Sequence, residues 1–423
     1  MGKLLADITP LRESPDFRRL WLGSAVSNVG SQLTLVAVSL EVYRLTQDSL
    51  YVGLLSIFAL VPLVLGGLLG GSIADSHDRR TVALLSSSVM WAAVGGLALQ
   101  AWLQVGNVWL LYVLVAVQSG AQAINQPARS AIIPALVRQE LLPAANALSM
   151  VTFGLAMTAG PLLAGVLVAS VGFGWTYTLD LLSFAFAFWA LLRLPPMPPG
   201  KEAGRAGLRS VVEGFRFLGT RPNVRMTFII DLVAMILAQP RALLPAVGAV
   251  MIGGGETTVG ILLASTAVGA FLAGLFSGPL GSVRMQGTAV VWSVMGWGAS
   301  IAGFGLVVVL AGRSGSGGVT LWLLPAVLCC ALAGISDSVS AVFRTTILQA
   351  ATPDHLRGRL QGVFIVVVAG GPRIGDMLAG AGTKILSEGW VLLLGGVLCI
   401  GVAWTVARWQ SGFLKYDARN PVP

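Results

Sequence analysis

Long apolar runs separated by short polar breaks dominate the chain. A helix that crosses a bilayer needs about 20 mostly apolar residues, because its backbone hydrogen bonds are all made internally. Twelve runs meet this requirement, and we number them spans 1 to 12. They cover residues 20–43, 50–74, 81–102, 108–128, 142–170, 173–193, 224–248, 257–280, 287–311, 320–342, 360–383 and 389–409. The pattern predicts an all-α membrane protein.

The longest polar segment divides the twelve spans into two groups of six. It covers residues 194–222, and its first half is rich in Pro and Gly, which is typical of a linker. Residues 1–193 and 223–423 are therefore predicted to form two six-helix bundles. In the second half of the linker, GLRSVVEGFRFLGT places charged and apolar side chains on opposite helical faces. Such a cytoplasmic helix either lies in the membrane interface or packs on the bundle.

A weak internal repeat supports the division into two bundles. RSAIIPALVRQELL, which follows span 4, aligns without gaps with RTTILQAATPDHLR in the second half, at an offset of 215 residues. The alignment matches Arg129 with Arg344 and Leu141 with Leu356. Equivalent segments in two halves are expected when a six-helix unit has been duplicated.

The composition explains the positive charge of the chain. Hydrophobic residues make up 55% of it and charged residues only 11%, against roughly 25% charged in soluble domains. The formal net charge is +9, and most of the 27 Lys and Arg residues fall in the even-numbered loops and at the two ends. This asymmetry predicts that both termini are cytoplasmic and that the protein lies in the inner or plasma membrane of the cell. It also makes a nucleic-acid partner unnecessary.

Polar side chains form stripes on spans 1, 4, 7 and 10. A polar residue inside a span is costly unless it faces another helix or a wet cavity. These stripes repeat every three or four residues on the first members of successive three-helix units, so we predict that they line one substrate cavity. Hydrogen bonding between helices is the alternative for any single residue. The predicted cavity residues are Asn28, Gln32, Gln118, Gln122, Asn125, Asp231, Gln239, Asp337 and Ser340.

Five acidic residues lie within or near the ends of spans. Asp376 follows Arg373 by three residues, so the two are predicted to form an intramembrane ion pair. Asp231 and Asp337 have no basic residue within one helical turn. Burial away from a cation opposes ionisation, which makes these two the candidates for proton coupling. The other two acids, expected at the water-accessible outer ends of their spans, are Glu41 and Asp180.

The sequence contains no constellation for covalent chemistry. Both histidines, His77 and His355, fall in loops, the three cysteines lie in apolar runs without metal-ligand spacing, and no GxxxxGK[ST] phosphate loop occurs. We therefore predict that the protein is not an enzyme and needs no metal or cofactor. A membrane receptor or scaffold that transports nothing is the alternative from another functional class.

The loop between spans 2 and 3 resembles a signature of the major facilitator superfamily. Its segment GGSIADSHDRRTVAL supplies a Gly, an Asp and a basic cluster between two helices. The resemblance implies a cytoplasmic gate that also involves the start of span 11. The gate residues are Gly71, Asp75, Arg79, Arg80 and Arg359. The signature usually has Gly where Asp78 stands, and the span 4 Arg of many proton-driven members is replaced by Ala116.

Span 5 carries AGPLLAG, with Gly160, Pro161 and Gly165, which is similar to the Gly-Pro motif of superfamily antiporters and exporters. DFRRLWLGSAVSNVGSQ and EVYRLTQDSLYVGLL resemble the enterobactin-exporter branch, which includes macrolide-efflux-like proteins. The resemblance implies a monomeric secondary exporter of a small amphipathic molecule, a siderophore or a drug, coupled to protons and working by alternating access. A multidrug efflux pump of broad specificity and an importer or facilitator are the alternatives within transport.

Overall fold

The structure is a computed structural model that describes residues 7–197, 216, 218–312, 321–351 and 354–417. These residues are helical apart from short connections. Ten helices among them are long and apolar enough to cross a membrane, as judged by length and composition. The predicted all-α membrane architecture is confirmed.

Apart from span 7, each predicted span is matched by a helix whose ends lie within nine residues of the predicted ones. In the first half these helices are Pro15–Thr46, Ser49–Ser76, Arg79–Trp102, Val108–Leu136 and Leu142–Leu192. In the second half they are Pro222–Leu237, Gly255–Leu275, Gln286–Ala311, Leu323–Ala351, Asp354–Gly382 and Glu388–Trp409. The helix Leu142–Leu192 holds spans 5 and 6, and it is kinked at Gly172, whose φ is 80°. A positive φ suits Gly because it has no Cβ.

Span 7 is not the single helix that the apolar run predicts. Its first helix ends at Leu237, and the chain continues through the short turns Arg241–Leu243 and Leu244–Ala246 into the π-helical segment Val247–Met251. Pro240 has no N–H to donate to a preceding carbonyl, so it weakens a regular helix at the position where the break occurs. The break leaves Arg241 in an irregular part of the span.

The chain divides into two compact units. The first contains Met1–Glu41 and Phe58–Gly207, and the second contains Val42–Ile57 and Leu208–Pro423. The division after Gly207 lies in the polar segment 194–222, whose predicted amphipathic helix falls mostly outside the described residues. The assignment of 1–193 and 223–423 to separate bundles stays a prediction.

The second unit includes the tip of the hairpin formed by spans 1 and 2, residues Val42–Ile57. Asp48 in this tip forms an ion pair with Lys384. The Ser49 hydroxyl donates a hydrogen bond of 3.2 Å to the Glu388 carboxylate. Polar contacts therefore fasten the hairpin tip to residues that lie near the carboxyl end of the chain.

Small residues bring helices together inside the second unit. A Cβ placed on Gly298 would lie 2.8 Å from the carbonyl oxygen of Gly396, which is closer than real Cβ contacts. Spans 9 and 12 therefore touch backbone to backbone at this point. Helices in lipid gain stability mainly from such close packing, since the surrounding lipid tails are as apolar as the side chains.

Candidate functional site

Each unit contains one cavity that is lined by stripe residues. The N cavity, in the first unit, has a volume of about 530 Å³ and lies among spans 1, 3, 4, 5 and 6. Of the predicted residues, Asn28, Gln122 and Asn125 line it. The C cavity, in the second unit, has a volume of about 280 Å³ and is lined by Asp231 and Asp337. Five of the nine predicted cavity residues thus line two described cavities.

The amide of Asn125 is already satisfied inside the protein. Its Nδ2 lies 3.0 Å from the Ala83 carbonyl oxygen, 2.8 Å from Ser86 Oγ and 2.9 Å from Ser87 Oγ. The side chain is also buried, at 3% exposure. Asn125 therefore joins span 4 to span 3, and the interhelical role explains it better than the predicted contact with substrate.

The C cavity holds three charged side chains. Arg344 forms an ion pair with Asp231, and its Nη2 lies 3.5 Å from an Asp337 carboxylate oxygen. The side chains of Arg344 and Asp231 are 15% and 8% exposed, whereas that of Asp337 is 42% exposed. Asp231 is thus the main partner of the arginine, and Asp337 faces the cavity. The expectation that both acids lie far from a cation is wrong. Arg344 follows Asp337 by two turns of the same helix, and its guanidinium lies close to both carboxylates.

Four predicted cavity residues are absent from the described lining of both cavities: Gln32, Gln118, Gln239 and Ser340. Gln32 and Ser340 are buried, at 7% and 2% exposure, and Gln32 Oε1 and Ser340 Oγ have no hydrogen-bond partner among the described residues. Gln239 packs instead on span 11, since a Cβ added to Gly375 would lie 2.9 Å from the Cβ of Gln239. The helical period identified the stripe, but not which members of it face a cavity.

The Gly-Pro motif of span 5 is a packing site. Gly160, Pro161 and Gly165 are all buried. A Cβ on Gly160 would lie 2.5 Å from Gln32 Cβ, so only Gly lets span 5 approach span 1 at this position. The motif therefore sets the distance between two helices of the first unit.

The predicted ion pair between Arg373 and Asp376 is not the contact that the described residues show. Asp376 accepts hydrogen bonds of 2.8 Å from Ser56 Oγ and 3.2 Å from the Ala242 N–H. Arg373 donates to the carbonyl oxygen of Ala369 one turn earlier. The helical break in span 7 supplies Ala242, which the sequence treated as part of a continuous helix.

The predicted cytoplasmic gate is only partly described. The side chains at Gly71, Asp75 and Arg359 lie outside the described part of the structure. Arg80 donates to the carbonyl oxygens of Leu191 and Leu192, at 3.3 and 2.7 Å. Arg79 donates to the Ala131 carbonyl oxygen at 3.2 Å. Both arginines therefore bind backbone carbonyls within the first unit, and those of Leu191 and Leu192 lie at a helix end, where a cation is favourable.

Asp78, which departs from the superfamily signature, caps the helix of span 3. Its Oδ1 accepts a hydrogen bond of 2.8 Å from the Thr81 N–H, and its Oδ2 accepts one from the Met197 N–H. Burial opposes ionisation of Asp78, but these hydrogen bonds and the charge of Arg80 outweigh it, so the pKa of Asp78 lies below its ordinary value. An acid at this helix start is thus a structural element of the first unit.

We expect Asp78→Ala to destabilise the protein by about 0.5–2 kcal/mol at neutral pH, because the cap is lost. The pKa of Asp78 is lowered in the folded state, so its stabilisation is complete above the ordinary value of 3.8 and disappears as the pH falls through the folded value. Thermal unfolding of both proteins at about pH 7 and about pH 3 measures the effect. Asp78→Asn, which keeps the cap acceptor, is the control, and an equal loss at both pH values would contradict the assignment.

Two acids of the first unit, Glu41 and Asp180, are buried. Glu41 accepts hydrogen bonds from Gln100 Nε2 at 2.8 Å and from the Tyr177 hydroxyl at 2.6 Å. Asp180 is completely buried and accepts from the hydroxyls of Thr34 and Ser183. The expectation of water-accessible rim residues is wrong for both. Their positions near the span ends concealed the fact that spans 1 and 6 close over them.

Comparison with known proteins identifies the chain. The transmembrane secretion effector family matches residues 5–419. The enterobactin exporters EntS of Shigella boydii serotype 18 and of Escherichia coli O81 are each 29% identical over 414 residues, which is 96% of both chains. The crystal structure of nucleoside transporter NupG superposes with a TM-score of 0.72 at 15% identity, covering 93% of this chain and 99% of NupG. The chain therefore belongs to the transmembrane secretion effector family of the major facilitator superfamily, and it is a membrane transporter and not an enzyme.

Proposed function

We propose that this transporter is a proton-coupled secondary exporter of a small amphipathic organic molecule, with a siderophore as the first candidate. The observation that carries the proposal is the 29% identity to enterobactin exporters over 96% of both chains. A relative of equal length that matches throughout shares all the helices that a transport cycle uses. The protein acts as a monomer in the cell membrane, with both termini in the cytoplasm, because the positive loop charges favour that orientation.

The mechanism that we propose is alternating access between two six-helix bundles. The N cavity and the C cavity each present polar side chains inside a helix bundle. Such side chains are costly within a membrane span and mark substrate or ion pathways. Cargo binds to these groups when they are open to the cytoplasm and leaves when they are open to the other side. Such a cycle needs a source of energy that resets the empty carrier.

The Asp231, Asp337 and Arg344 cluster is the proposed proton-coupling site. Asp231 holds Arg344 in an ion pair, and the more exposed Asp337 lies at the edge of hydrogen-bond range from the same guanidinium. A proton on Asp337 weakens its attraction for Arg344, whereas loss of the proton restores it. Proton uptake and release therefore change the charge of the C cavity during the cycle.

Transport in inside-out vesicles tests the proposed function. The cargo panel is enterobactin, a macrolide and a neutral sugar, each added with and without an imposed pH gradient. An exporter accumulates enterobactin or the macrolide in such vesicles, and the accumulation falls when the gradient is removed by an uncoupler. Accumulation only in right-side-out vesicles would indicate an importer. Absence of flux for the whole panel with intact binding would favour a receptor.

We further propose that Asp75 stabilises the state in which the cytoplasmic side is closed. The start of span 11, with Arg357 and Arg359, carries positive charge that attracts an anion. Asp75→Asn should therefore favour the inward-open state and slow turnover, since such helix-end interactions contribute about 0.3–2 kcal/mol. Double electron-electron resonance between spin labels on the cytoplasmic ends of spans 2 and 11 measures the shift. Identical distance distributions in wild type and variant would reject the gate role in favour of a pairing with Arg79.

A further inference from the structure

Arg129 lies in the N cavity, and no carboxylate among the described residues pairs with it. Its Nη1 donates to Ser24 Oγ at 3.1 Å, and its Nη2 lies 3.4 Å from Ser87 Oγ. Its Nε is buried and has no hydrogen-bond partner among the described residues. An arginine stays charged in proteins, and a charge that is partly withdrawn from water is stabilised by a nearby counter-charge. Two neutral hydroxyls do not supply that counter-charge.

The second unit contains an equivalent arginine, Arg344, whose charge is neutralised by nearby acids. The offset of 215 residues that relates the two halves pairs Arg129 with Arg344, and it also pairs Gln122 with Asp337. Arg344 has Asp231 as its ion-pair partner and Asp337 close by. The N cavity has the amide of Gln122 where the C cavity has a carboxylate. The repeat thus retains the cation in both halves, whereas the carboxylate of Asp337 is replaced by the amide of Gln122 in the first half.

The rest of the N cavity is neutral. Its described lining contains no Asp or Glu, and Arg129 is the one charged residue in it. Aromatic side chains contribute a large apolar surface, among them Trp21, Phe153 and Phe184. The amides of Asn28 and Gln122 add neutral hydrogen-bonding groups. A cavity of about 530 Å³ falls within the range of small-molecule sites.

We propose that the N cavity is an organic-anion site in which Arg129 binds the anionic group of the cargo and the aromatic wall binds its apolar part. The inference rests on the proposed export function and narrows its substrate class from amphipathic molecules to amphipathic anions. The cargo supplies the counter-charge that Arg129 lacks in the protein itself. The two cavities then have different roles: the N cavity binds the anionic cargo, whereas the arginine of the C cavity is already neutralised by acids of the protein itself.

Equilibrium dialysis against the full-length protein in nanodiscs tests this site, with empty nanodiscs as the blank. The probes are 2-naphthoate and 2-naphthamide, which share one ring system and differ in charge. Wild type should bind the anion more tightly than the amide. Arg129→Gln should weaken 2-naphthoate binding about tenfold or more, the equivalent of one lost charge-assisted contact, and change 2-naphthamide binding by less than about twofold.

Two further variants keep the test decisive. Arg138→Gln removes an exposed cation of the same unit that pairs with Glu13, and it should leave the preference unchanged. Gln122→Asp should abolish the anion preference even if Arg129→Gln fails to fold, because it restores the carboxylate that the C cavity has two helical turns before its arginine. No anion preference in wild type, or a preference that survives both Arg129→Gln and Gln122→Asp, would overturn the proposal. Absent enterobactin flux with an intact anion preference would count against export and not against this site.

Discussion

Replacing Asp337 by Asn should abolish the export that a pH gradient drives while cargo binding persists. The amide can still form hydrogen bonds in the C cavity, but it cannot carry a proton near neutral pH. Asp337 is the cavity-facing acid, at 42% side-chain exposure, so water and protons reach it more easily than Asp231. We expect gradient-driven flux to fall to about a tenth of wild type or less. Flux in inside-out vesicles and binding by dialysis measure the two effects separately.

The control for this prediction is Asp16→Asn, which removes an exposed acid that pairs with Arg19 at the surface. It should leave both flux and binding unchanged, because exposed ion pairs contribute little. Asp231→Asn is the second candidate and should also impair coupling. Unchanged gradient-driven flux in both Asp337→Asn and Asp231→Asn would show that the proton travels by another route.

Replacing Asp231 by Leu should cost the protein about 3–5 kcal/mol of unfolding free energy. The substitution leaves Arg344 unpaired inside a span, at 15% side-chain exposure, with only the longer contact to Asp337. An uncompensated buried cation is more costly than the loss of the ion pair itself. Denaturant unfolding of the purified protein in detergent, followed by circular dichroism, measures the difference.

The double variant Asp231→Leu/Arg344→Leu separates these two contributions. Removing both charges replaces a buried ion pair by apolar side chains, which is often neutral for stability. The double variant should therefore recover most of the stability that the single variant loses. An equal loss in both would mean that Asp231 stabilises span 7 by a contact unrelated to Arg344.

The sequence predicted the helices well because the bilayer allows few alternatives. A spanning segment has to satisfy its backbone internally, so apolar length alone identified the helix of span 3, Arg79–Trp102. The same reasoning located the break at Gly172, where the apolar pattern contains small residues. The prediction of a continuous helix was wrong in span 7, because apolar composition does not reveal the turns that follow Pro240.

The candidate site was harder to predict because partners come from other helices. The stripe on span 10 located Asp337, but Arg344 reaches Asp231 across from span 7, and only the tertiary structure shows that contact. Arg129 was counted as a loop cation, whereas its guanidinium lies against Ser24 of span 1. The polar stripe on span 10 includes Arg344, and the repeat that matches Arg129 with Arg344 is the signal that could have singled out Arg129 as well.

The hairpin tip Val42–Ile57 has a consequence for biosynthesis. Its partners Asp376, Lys384 and Glu388 follow Ser56, Asp48 and Ser49 by 320, 336 and 339 residues. At about 5–20 residues per second, the ribosome makes those partners roughly 15–70 s after the tip has emerged. During that interval Asp48, Ser49 and Ser56 lack the groups that they bind in the finished protein. A nascent chain that stops before span 11 therefore has a first hairpin whose tip lacks all three of these partners.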